Sequence, residues 1–135
     1  DIMYIRMRDE NPEFITALEH PECMTIPANK DSKGEIRPEV TGPVFTYADD
    51  MSVHMRYSAR KRNISWREDD ITSAAREYLS SVLNDEHGPV FHYRLKPGEG
   101  LISNNVLHNR TAFENGKALH RKLYRARFFD RINTE

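Results

Sequence analysis

The stretch LISNNVLHNRTAF, residues 101–113, sets one histidine among hydrogen-bonding side chains, and thirteen residues after His108 an arginine-rich run begins, RKLYRARFF. Imidazole is the commonest protein ligand for a metal ion. An arginine fork grips a carboxylate through two parallel N–H bonds. A histidine followed by arginines therefore has the means to hold a metal and an organic acid side by side. Each residue type also has a plainer use. A histidine near a strand end usually packs or faces water, and arginines along a strand usually form a solvated face.

If residues 121–129 are extended, alternate side chains share a face. Arg121, Leu123, Arg125, Arg127 and Phe129 then fall on one side, and Lys122, Tyr124, Ala126 and Phe128 on the other. The second side is the apolar one beyond Lys122. The arginines thus either form a solvated outer face or line a polar cavity. Asn104, Asn105 and Asn109 are able to brace an imidazole and its neighbours.

The elements that must carry these residues read as follows. Residues 3–8 are ambiguous between strand and helix. A helix is expected from about Asn11 to Leu18, with Pro12 in its first turn, where a missing N–H costs nothing. HPECMTIPANKDSKGEIRPEVTGP (20–43) is loop-rich with a short apolar MTI. PVFTYAD and SVHMRYS are rich in β-branched and aromatic residues and predict a hairpin. The clearest helix runs from about Asp70 to Asn84, with Asp69 or Asp70 as N-cap. Ile71, Ala74, Ala75, Tyr78, Leu79, Val82 and Leu83 form its apolar stripe. Strands are expected in GPVFHYRLK, LISNN and HRKLYRARFFDR. Short strands with Gly/Pro turns around one amphipathic helix argue for a β-sandwich or jelly roll with the helix packed outside.

The chain has 135 residues, 38% hydrophobic and 30% charged, which suits one globular domain with a modest core. A net charge of −1 gives no global reason to expect nucleic acid or an anionic membrane as partner. No apolar run approaches the roughly 20 residues of a membrane span. Cys23 is the single cysteine, so no intrachain disulfide forms, which fits a reducing, cytoplasmic setting. The opening DIMYIRMRDENPEF is charged and lacks an initiator Met, so the chain is expected to be part of something longer.

PGEGLISNNVLHNRTAF followed by RKLYRARFFDRI resembles the C-terminal signature of the taurine dioxygenase/TfdA-like family of iron(II)- and 2-oxoglutarate-dependent oxygenases. MTIPAN, GPVF, MRYSARKRNISW and AAREYLSSVL resemble further segments of that family's C-terminal half, so the likeness covers nearly the whole chain. The resemblance implies a mainly β fold with helices, the clavaminate synthase-like double-stranded β-helix or jelly roll, of which residues 1–135 would be the C-terminal portion. It implies a metal centre of two histidines and one carboxylate, with 2-oxoglutarate and O₂ filling the open positions. His108 matches the later histidine. Arg121 matches the arginine that pairs with the far carboxylate of 2-oxoglutarate, and Arg125 a second arginine near the cosubstrate. Thr111 and Asn105 match supporting positions. The implied activity is hydroxylation of a small anionic or zwitterionic substrate coupled to conversion of 2-oxoglutarate to succinate.

One departure from the family pattern matters. Its first histidine and carboxylate come as His-x-Asp or His-x-Glu, and His20-Pro21-Glu22 is the sole match here. That match lies in a stretch resembling a helix-to-loop junction rather than the metal motif. One histidine does not hold iron tightly at a site meant for three ligands. The chain alone is therefore expected to be inactive, the other ligands lying upstream and the missing half, or a second copy, covering its open strands. The alternative is a non-enzymatic jelly-roll binding module whose arginine face takes a carboxylate or a protein partner.

Three other features read as structural. Arg56, Arg60, Lys61 and Arg62 are expected in a solvated loop offset by the REDD that follows, with an anion contact as the alternative. Trp66 is expected to anchor a core or an interface. Cys23 has no basic neighbour in sequence to activate it and is expected to be inert.

Overall fold

The computed structural model describes residues 2–31, 34–59, 64–85, 88, 90–104, 106–112, 122–126, 128 and 132. They divide into two compact units, Asp1–Tyr93 and Arg94–Glu135.

The first unit mixes helices with small antiparallel sheets. Helix α1 (Ile2–Glu10) leads into α2 (Pro12–Leu18). Asn11 ends one and starts the other: its N–H donates to Met7 O at 3.1 Å, and its side chain accepts from Glu13 N at 3.0 Å. Pro12 occupies the first turn, as its spacing predicts. Helix α3 (Asp70–Leu83) is capped by Asp69, which accepts from Thr72 N and from the Thr72 hydroxyl, both at 2.8 Å. That second bond lets Thr72 sit fully buried at the foot of the apolar stripe. Ala75, Leu79 and Val82 are buried and Ile71, Tyr78 and Leu83 half-buried, whereas Ala74 faces water.

Strand β1 (Met24–Ile26) is central in a three-stranded sheet, flanked by β4 (Val40–Gly42) and β7 (Ser65–Trp66), both antiparallel. The loop-rich stretch also folds into a second hairpin, β2 (Asn29–Asp31) with β3 (Gly34–Arg37). The expected hairpin is present as β5 (Phe45–Tyr47) paired with β6 (Val53–Met55). Its connection places the non-glycine residue Met51 at φ 61°.

The core lies where α1, α2 and α3 meet β1 and β5. Met7, Leu18, Met24, Val44, Phe45 and Leu79 are the largest apolar side chains wholly shut from water there. Trp66 packs half-buried against this cluster, as expected of an anchor. Backbone bonds stitch the layers: Val44 N donates to Leu18 O at 2.7 Å, Arg56 N to Val44 O at 2.7 Å and Arg67 N to Cys23 O at 3.0 Å. Over the hairpin, the Tyr4 ring meets Phe45 edge-on at 5.4 Å. The Tyr4 hydroxyl bonds the Tyr47 hydroxyl at 2.7 Å, and Tyr47 donates onward to Glu19 at 2.5 Å.

Beyond α3, the described residues form no strand: those of GPVFHYRLK and LISNN are irregular, and the strand expected in HRKLYRARFFDR falls in good part outside the described residues, with 122–126 irregular. A strand exists only through a neighbour's backbone, and apolar, β-prone composition does not supply one. The described residues form no closed barrel, and no described helix is long and apolar enough to cross a membrane.

Candidate functional site

His108 lies in an irregular, water-exposed segment of the second unit. Its Nδ1 sits 3.0 Å from Val106 O. A carbonyl oxygen only accepts, so in the neutral ring this contact puts the proton on Nδ1 and the lone pair on Nε2. Metal-ligating histidines use this arrangement, donating one ring N–H to a carbonyl and leaving the other nitrogen to bind.

Asn104 does not brace the ring. Its side chain bonds both backbone groups of Ile132, donating to O at 2.7 Å and accepting from N at 2.8 Å. Arg125 is exposed and belongs to the same unit as His108. Residues 122–126 are irregular, so the alternating-face assignment does not apply to them. The Lys122 ammonium lies 5.1 Å from the Tyr124 ring, a cation–π contact within one supposed face and beside its aromatic. Thr111 is exposed, and Arg121, Asn105 and the cationic run 60–62 lie outside the described residues.

His20 presents the opposite protonation form. Its Nδ1 accepts from Glu22 N at 3.1 Å, so in the neutral ring the proton is on Nε2. The His20-Pro21-Glu22 stretch forms the turn after α2, and the imidazole caps that turn. Among the described residues no three His, Cys, Asp or Glu side chains converge as a metal site. His108 thus fits one position of a metal centre, and the described donor set does not complete one. No reaction step through iron follows from these residues.

Two features of the first unit bear on what sequence alone suggests. Arg56 is not a solvated loop residue. Its guanidinium donates to Met24 O and Gly42 O at 2.5 Å, to Pro43 O at 3.1 Å and to Val40 O at 3.2 Å. Desolvation lowers its pKa, and the fork is consumed by backbone rather than by an anion. Nothing in RYSARKRN distinguishes Arg56 from its cationic neighbours, because its partners lie up to 32 residues away. A groove of about 460 Å³ opens beside the start of α3, lined by Trp66, Arg67, Asp69, Ser73 and Arg76 among others. Its cations are engaged: Arg67 pairs with Asp69 at 3.2 Å, and Arg76 lies 6.0 Å from the Trp66 ring centre. Cys23 is buried, and burial, followed by the nearby Asp69 charge, pushes its thiol up to about 11. It stays protonated at neutral pH and is a poor nucleophile.

No family model, curated protein or solved structure matches the chain.

Proposed function

We propose that this chain is the C-terminal portion of an iron(II)- and 2-oxoglutarate-dependent oxygenase with a jelly-roll fold, acting on a small anionic or zwitterionic substrate. The observation that carries the reading is His108 with Nδ1 engaged by the Val106 carbonyl, leaving Nε2 to bind, in a segment followed by Arg121 and Arg125. His108 would be one metal ligand. Arg121 would clamp the far carboxylate of 2-oxoglutarate, and Arg125 would stand nearer the iron or the substrate. When bound, the iron supplies O₂ activation. The protein's own contribution is the fixed imidazole and the guanidinium forks that orient the acid. The other two ligands would come from a His-x-Asp or His-x-Glu outside these 135 residues.

A second reading, a binding module without iron, is favoured by His20, whose Nδ1 is committed to Glu22 N. Succinate formation with iron and ascorbate separates the two. The polypeptide that joins a His-x-Asp pair to these residues should turn over 2-oxoglutarate, and His108→Ala should abolish turnover with the fold retained. Near-normal turnover in that variant would make His108 a surface residue. Robust turnover by the 135 residues alone would overturn the assignment of ligands and return His20 and Glu22 to consideration.

A further inference from the structure

Asn104 carries both halves of an amide pair. Its Nδ2 donates to Ile132 O and its Oδ1 accepts from Ile132 N, at 2.7 and 2.8 Å. One side chain thereby reproduces the two-bond exchange between facing residues of an antiparallel ladder. A single hydrogen bond leaves its partners free to swivel, whereas two parallel bonds fix both spacing and rotation. Asn104 stands four residues before His108, and Ile132 seven residues after Arg125. The tie therefore joins a residue four before His108 to one seven after Arg125, inside one compact unit. The His108 ring itself is held locally, its Nδ1 3.0 Å from Val106 O.

We infer that Asn104 is a positioning residue, setting the register of the His108 segment against the Arg125 segment. The inference rests on the oxygenase reading for its purpose, but the tie itself does not. An exposed amide pair contributes little to global stability. What it supplies is a fixed offset between two irregular segments. An isosteric apolar side chain would remove that offset without disturbing any core.

The test uses the 135-residue chain labelled for NMR, with Asn104→Leu and Asn104→Gln. Leucine keeps the shape and removes both bonds, while glutamine keeps the amide on a longer arm. In Asn104→Leu the Ile132 amide should exchange roughly five- to a hundredfold faster, the range set by two bonds of modest net strength. The His108 ring nitrogens should move from the Nδ1–H pattern toward a tautomer mixture, with the Leu79 amide unchanged. Titrated 2-oxoglutarate should bind several-fold more weakly, and Asn104→Gln should recover part of each change. Unaltered Ile132 exchange in Asn104→Leu would overturn the inference. So would faster exchange with an unchanged His108 spectrum, which would leave the tie purely local. If both spectral changes occur but 2-oxoglutarate fails to bind the unaltered protein, the positioning role stands and the oxygenase reading falls.

Discussion

Replacing Arg56 by alanine should unfold the first unit far more easily than substitution of any other described arginine in it. The guanidinium holds four carbonyls, those of Met24, Val40, Gly42 and Pro43. Bonds from a charged donor are worth about 1.5–3 kcal/mol each when well buried. Arg56 is half-buried, and its bond to Val40 O is exposed, so that bond counts for little. Met24 and Gly42 also face each other across the β1–β4 ladder, so the variant leaves a second lone pair unfilled rather than an orphaned group. Taking the three part-buried bonds at about 1 kcal/mol net each gives a loss of about 3 kcal/mol. At a urea slope of about 2 kcal/mol per molar, the unfolding midpoint should fall by about 1.5 M. Lysine offers one ammonium in place of a planar fork and should recover less than half of the loss. A loss below about 1 kcal/mol for alanine, or full recovery by lysine, would show that the clasp contributes nothing distinctive and refute the reasoning.

Three further outcomes follow from the site and the fold. Met51 sits at φ 61° and is 73% exposed, so Met51→Gly relieves a left-handed backbone and should stabilise by about 0.5–1 kcal/mol, read from the denaturation midpoint. The Thr72 backbone and hydroxyl bonds hold Asp69 below the usual carboxylate range, with Arg67 adding to this. A depressed carboxyl stabilises the fold above its unfolded pKa and loses that contribution as pH falls through the folded value. Stability should therefore decline on acidification less steeply in Asp69→Asn than in the unaltered protein, and equal slopes would count against the cap. On the proposed oxygenase reading, in the polypeptide that joins a His-x-Asp pair to these residues, Arg121→Ala should weaken 2-oxoglutarate binding by roughly tenfold to a few hundredfold, with Arg121→Lys milder. A larger effect from Arg125→Ala, measured by the same titration, would exchange the two roles.

What was legible in the sequence is what local chemistry dictates. Asn11-Pro12 and Asp69 announce helix starts because a cap is built from adjacent residues, and the hairpin at 43–58 follows from its β-branched and aromatic runs. The helix Ile2–Glu10 was not legible: its apolar residues are spread around the axis, and of them Met7 alone is buried, so packing against α2 and α3 decides it. The hairpin β2–β3 is held by backbone bonds that impose no residue pattern on a stretch dense in proline and charge. At the candidate site, His108 could be singled out by type and context. Its tautomer depends on a carbonyl two residues away, and that is a matter of backbone conformation. The face assignment for Arg125 presumed a strand, and a strand depends on a neighbour that the run itself does not specify.

The contacts of Tyr4 bear on how this protein can be trimmed. Its ring closes over Phe45, and its hydroxyl joins Tyr47 and through it Glu19, at the end of α2. The first nine-residue helix is thus a roof over the hairpin rather than a leader to be discarded. A shortened version beginning at Asn11 keeps every cap and strand yet bares the edge of Phe45 and removes Met7 from the core. Such a truncation would present a sticky apolar surface and aggregate, so domain boundaries chosen for expression belong ahead of Ile2.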